Sequence, residues 1–109
     1  MTHKELVKWA RGFFPHLRRH AVRFVYADTD WYGIHMPGLC SDTIVINLAN
    51  HIGEGCVQEE WVKGTVLHEL VHCEQNTHGD NPNHGAYFVA RREELMALTG
   101  VFIPPGTPS

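Results

Sequence analysis

Trp61-Val62-Lys63-Gly64-Thr65-Val66-Leu67-His68-Glu69-Leu70-Val71-His72-Cys73-Glu74-Gln75-Asn76 is the stretch that decides how this chain folds. It holds no proline, and Val62, Val66, Leu70 and Cys73 recur at spacings of four, four and three, the apolar stripe of a helix. Thr65, His68, Glu69 and His72 fall on another face, flanked by Leu67 and Val71. A helix apolar over most of its circumference belongs in the middle of a small domain. Gly64 interrupts it at a cost of about 1 kcal/mol against alanine. That points to close approach by another element, or to a later helix start.

Within this helix His68-Glu69-Leu70-Val71-His72 forms the string HExxH. Residues i and i+4 stand one above the other on a helix, with Cβ atoms about 5–6 Å apart. Two imidazoles so placed can converge on one metal at the Zn–N distance of about 2.0–2.1 Å. Glu69 lies beside them, placed to take a proton from a metal-bound water. The chain holds nine histidines, so a shuffled sequence of this composition contains the string about one time in twenty. The surroundings must therefore support it.

Catalytic zinc takes three protein ligands and leaves a position for water. Two histidines could close the site. His78 would complete the metzincin spacing, but Gln75 stands where that motif needs a turning glycine, and no Met-turn follows. His84 stands after Asn81-Pro82-Asn83, with Asn83 as a candidate N-cap for a helix running to Thr99 before Gly100. His84 is expected in the first turn of that helix, with Phe88 one turn further along the same face as a core anchor.

HELVH followed by His84-Gly85-Ala86-Tyr87-Phe88 resembles the SprT-like zinc metallopeptidases, the family that includes the Spartan-type DNA–protein crosslink proteases. Their hallmark is HExxH, a variable loop, then HGxxF at the head of the next helix. The likeness is sharp over residues 65–88 and diffuse over 20–64. It implies zinc held by His68, His72 and His84, with Glu69 as catalytic base. The paired cysteines of the zinc ribbon that many members carry are not among these residues, nor are DNA-binding modules. The resemblance thus implies the peptidase core alone.

The 109 residues have room for one domain, expected over 1–103, with 104–109 as an irregular tail. The expected class is α+β, a minimal zincin-like domain: an N-terminal helix, a small three-stranded sheet, the HExxH helix and a C-terminal helix. Thr2 and Glu5 fit a capping box, with Leu6, Trp9, Ala10 and Phe13 as an apolar face before Pro15. Residues 20–27 alternate, placing Val22, Phe24 and Tyr26 on one side of a strand. A short strand is expected around Ile34-His35-Met36, then the clearest one over Thr43–Ala49, then a loop from Asn50 to Gln58. An edge strand beside the metal would pair with extended substrate, and Thr43–Ala49 is the candidate.

Six of the nine basic residues, Lys4, Lys8, Arg11, Arg18, Arg19 and Arg23, lie in the first 23 positions. They suggest a solvated helix face or a weak nucleic-acid contact, though a net charge of −3 argues against strong non-specific DNA binding. Cys40, Cys56 and Cys73 are odd in number and form no CxxC pair, which suits free thiols in the cytoplasm. No leading apolar segment of membrane length is present, so no membrane partner is expected.

Several residues could assist the site. Tyr26, Tyr32 or Tyr87 could steady an oxyanion. Asp80 or Glu74 could orient a ligand imidazole, and Arg92 could pair with a carboxylate or lay its stem along the core. His35 and His51 read as ordinary strand or loop histidines. The expected function is zinc-dependent hydrolysis of peptide bonds in a protein or peptide substrate. The alternatives are a zinc-stabilised binding module and a metal-dependent endoribonuclease. Bacterial enzymes of the last kind resemble the chain in a third histidine ten positions after the first, where His78 stands, but their motif lacks the glutamate.

Overall fold

The computed structural model describes residues 1–106. The quoted stretch lies within helix α2, Glu59–Thr77, which is buried along almost its whole length from Val62 to Gln75. Val62, Val66, Leu70 and Cys73 all face the core, and so do Leu67 and Val71. Gly64 answers a close approach: a Cβ there would stand 2.1 Å from the carbonyl oxygen of Phe102. The C-terminal segment therefore crosses α2 in backbone contact.

Around α2 the described residues form an α+β fold of three α-helices and two small sheets. Helix α1, His3–Arg11, begins at the expected capping box, with Thr2 accepting from the Glu5 amide and Glu5 from the Thr2 amide. Leu6, Val7 and Ala10 are its buried face. Strands β1 (His20–Val25), β2 (Gly33–Met36) and β3 (Asp42–Asn47) form a sheet in the order β1-β3-β2. β1 runs parallel to β3 and β2 antiparallel to it. Tyr26 lies beyond the end of β1 and is exposed, so it does not share the half-buried side of Val22 and Phe24.

The expected edge strand is instead the middle one. β3 carries fully buried Ile44 and Ile46, and Asp42 and Asn47 at its ends are buried too. The most apolar strand takes the position where both of its hydrogen-bonding edges are used. β1 and β2 are the two edge strands, each with no strand on its outer side among the described residues, and β2 is the one that packs beside α2. After β3 a 3-10 turn, Leu48–His51, leads into a two-stranded hairpin of β4 (Ile52–Gly53) and β5 (Cys56–Val57), where a loop was expected. Glu54 and Gly55 turn it with φ of 54° and 82°, the left-handed pair of a tight hairpin.

Helix α3, Ala86–Thr99, ends at Gly100 with φ 71°. Its start differs from expectation. Asn83 accepts from the Gly85 amide in a local turn, and the helix begins at Ala86, so His84 precedes the helix. Residues 101–106 carry no regular secondary structure, yet Val101 and Ile103 are buried in the core. Thr107–Ser109, the end of the expected tail, lie outside the described residues. No helix among the described residues is long and apolar enough to cross a membrane.

Candidate metal centre

His68 and His72, one turn apart on α2, meet His84 from the loop before α3. The three Nε2 atoms form a triangle with every side 3.2 Å. Nitrogens around a tetrahedral ion with bonds of about 2.0–2.1 Å are separated by about 3.3–3.4 Å. The triangle is the size a metal needs.

The hydrogen bonds behind the rings make the same point chemically. His68 Nδ1 donates to the Pro104 carbonyl at 2.7 Å, and His72 Nδ1 donates to Gln75 Oε1 at 2.9 Å. Each acceptor fixes the proton on Nδ1, so both Nε2 atoms present bare lone pairs to each other. Lone pairs do not settle at that distance without a cation or proton between them. Burial pushes both imidazoles down to a pKa of about 4, His68 in spite of its bond to Pro104. They are neutral and ready to ligate near pH 7.

Phe88 is the floor of the site. Fully buried, it touches all three imidazoles, with ring centroids 4.7 Å from His68, 5.1 Å from His72 and 4.9 Å from His84. Gln75 ties the pieces together. While its oxygen orients His72, it also accepts from the Asn83 amide, and its nitrogen donates to the Asn83 carbonyl. One side chain thereby fixes both a helix histidine and the loop that carries His84.

Glu69 stands beside the triangle, Oε1 3.8 Å from His68 Nε2. Its Oε2 is the one buried side-chain oxygen or nitrogen among the described residues that lacks a hydrogen-bond partner. Burial raises its pKa to about 8. Gly33 of β2 lies directly opposite, and Gly33, Ile34 and His35 line the same open cleft as Glu69 and the three histidines, a space of about 580 Å³. The free edge of β2 thus borders the candidate centre.

His78 is exposed at the C-terminal end of α2, against the Tyr87 ring, and is not part of the triangle. Neither acid expected behind the ligands is there. Glu74 instead accepts from Tyr87 at 2.5 Å and from Arg91 at 3.0 Å, clamping α3 to α2. Asp80 is exposed. Of the three tyrosines only Tyr32 lines the cleft. Arg92 donates from Nε to the Ile103 carbonyl and stacks over Phe102. Sequence reasoning missed the two acceptors, Gln75 and Pro104. Gln75 lies three residues after His72, within reach on a helix, whereas a backbone carbonyl leaves no mark in the sequence.

A second group, His35, Asp42 and Cys73, lies behind His72. Buried Asp42 accepts from His35 at 2.8 Å and Asn76 at 2.9 Å, and Arg18 lies 3.6 Å away. Burial alone would raise Asp42, but the bonds from His35, Asn76 and Cys73 outweigh it and hold its pKa below the usual value. Cys73 is pushed up to about 12 by burial and by Asp42, which keeps it a thiol. This carboxylate is satisfied by the chain itself. Arg18, one of the six N-terminal basic residues, is committed here and to the carbonyls of Gly38 and Leu39. All three cysteines are free, Cys40 and Cys56 exposed. Compared with protein-family models and with curated proteins, the chain matches none of them.

Proposed function

We propose that this chain is a zinc-dependent peptidase with a minimal zincin core of the SprT-like kind. The observation that carries the reading is Glu69 Oε2, a buried oxygen without a partner, set beside three imidazoles whose nitrogens crowd together at 3.2 Å. A buried carboxylate is costly unless something compensates it. A cation held by the three imidazoles would supply that compensation.

His68, His72 and His84 would hold the ion through Nε2, the three-histidine set of one class of catalytic zinc site. Zinc so held acidifies a water and polarises a carbonyl. Glu69, beside the triangle, would take the proton of the attacking water and hand it to the leaving amine. The outer edge of β2 offers free backbone groups to an extended peptide. His78, exposed and apart, leaves the endoribonuclease reading without its third histidine.

Zinc content and cleavage of an unfolded protein, measured side by side, test the proposal. Glu69→Gln is expected to keep zinc and lose cleavage. His84→Ala should lose the metal, while His78→Ala should keep both metal and activity. Cleavage unchanged in Glu69→Gln would overturn the mechanism.

A further inference from the structure

Next to the metal cleft lies a second hollow of about 630 Å³, walled chiefly by Tyr32, Trp61, Thr65, Phe102 and Pro104, with Asn50, His51 and Glu60 completing its lining. Tyr32, Thr65 and Pro104 line both cavities, so the two adjoin. Three of the walls are large aromatic side chains more than half exposed: Tyr32 58%, Trp61 52% and Phe102 68%.

Exposed aromatics are usually scattered and free to move. These three are held. Trp61 lies against Gly53 of the hairpin, where a Cβ would come 2.9 Å from the edge of its ring. Tyr32 meets the ring of buried His51 edge-on at 5.7 Å. His51 is itself fixed, donating to the Asn47 carbonyl at 2.6 Å and accepting from Thr65 at 2.7 Å. Phe102 sits under the Arg92 guanidinium at 5.3 Å, and its carbonyl is pressed against Gly64. A largely aromatic, water-facing hollow whose walls are braced by their neighbours is the form of a preformed side-chain subsite.

Resting on the peptidase reading of the neighbouring cleft, we infer that this hollow seats one large apolar side chain of the extended peptide bound there. The position follows from α2. Trp61, Thr65 and Glu69 succeed one another at steps of four, and eight residues of helix span about 12 Å. An extended peptide advances about 3.3 Å per residue. The seated residue therefore lies within about four positions of the bond beside Glu69, and the chain selects peptides with Phe, Leu or a similar residue there.

Binding tests this apart from catalysis. Fluorescein-labelled alanine-rich decapeptides carrying one Phe, Leu, Lys or Asp are titrated with zinc-loaded Glu69→Gln protein and followed by anisotropy. The Phe and Leu peptides should bind about tenfold or more tightly than the all-Ala parent. Trp61→Ala and Phe102→Ala in that background should each bring the advantage to within about twofold; both side chains are mostly exposed, and an unchanged melting temperature checks the fold. Equal affinity for Phe and Ala peptides overturns the inference, as does an advantage that survives both variants. A dimer in sedimentation equilibrium that Trp61→Ala dissociates also overturns it, because a second copy then fills the hollow. If the Phe advantage holds but wild-type protein with zinc cuts none of the peptides, the subsite stands and the peptidase reading falls.

Discussion

Gly33 and Glu69 are separated by less than a side chain: a Cβ on Gly33 would stand 3.2 Å from Glu69 Cγ and 2.8 Å from Thr65 Cγ2. The edge strand can reach the His68–Glu69–His72 face of α2 only because this residue has no Cβ. Gly33→Ala must push β2 outward or turn Glu69 aside. Overpacking of this kind costs about 1–3 kcal/mol, and here it falls on the position of Glu69, the proposed base. Zinc stoichiometry should stay near wild type while kcat/KM drops about tenfold or more. A variant with wild-type kcat/KM would show that the edge strand does not position Glu69.

The metal-free protein should have an optimum of stability near pH 6.5, set by two opposing sets of buried groups. Burial lowers His51, His68 and His72 below their ordinary 6.5, so the unfolded chain binds protons that the folded one refuses. Their contribution is complete above pH 6.5 and is lost as pH falls. Burial raises Glu69 from 4.5 to about 8, the reverse case. Its contribution is complete below 4.5 and is lost as pH climbs toward 8. Below 6.5 three histidines outweigh one glutamate, and above it Glu69 acts alone among these groups. Urea unfolding of the metal-free protein from pH 5 to 9 should show both limbs, with the alkaline one flattened in Glu69→Gln. Parallel alkaline limbs in the two proteins would contradict the buried setting of Glu69.

Gln75 orients His72 and at the same time holds Asn83, the residue before His84. Removing an acceptor behind a ligand imidazole lowers metal affinity about 10- to 100-fold. Gln75→Leu removes that acceptor and also frees the loop. Zinc competition against a chelator should therefore show a loss at the upper end of that range, whereas Gln75→Glu, which keeps an acceptor for His72, should lose less. Equal affinities for the two variants would mean that the His72 contact contributes nothing.

The helix and its histidine pair were legible because helical spacing is local: His68 and His72 must share a face wherever α2 lies. The start of α1 and the end of α3 were legible for the same reason, through Thr2, Glu5 and Gly100. The order of strands was not. β3 is the most apolar strand, and apolarity reports burial; it does not say which edges are paired, so the edge role went to the wrong strand. His84 was found through the loop and glycine around it, but its placement before α3 depended on whether Asn83 caps the helix or a turn. Pro104 was read only as part of an irregular tail. Its carbonyl on His68 is a contact across 36 residues, made by a group every residue carries.

That contact leads to a prediction of unusual sign at Gly64. Replacing a helix-interior glycine with alanine ordinarily stabilises by about 0.5–1 kcal/mol, because glycine loses more freedom on folding. At Gly64 the new Cβ would meet the Phe102 carbonyl oxygen at 2.1 Å, and that oxygen belongs to backbone that cannot rotate away. The segment carrying Phe102 must lift from α2. Ile103, fully buried, would lose packing, and Pro104 would withdraw its carbonyl from His68. Gly64→Ala should therefore lower the melting temperature of the metal-free protein, and also weaken zinc binding although it lies one helical turn from His68, the nearest of the three histidines. The His68 ring, no longer held in one tautomer, would offer its Nε2 lone pair only part of the time. Calorimetric melting and chelator competition on the same preparation check both effects. A stabilised Gly64→Ala protein with unchanged zinc affinity would mean that the C-terminal segment does not press on α2 and that His68 takes its orientation from elsewhere.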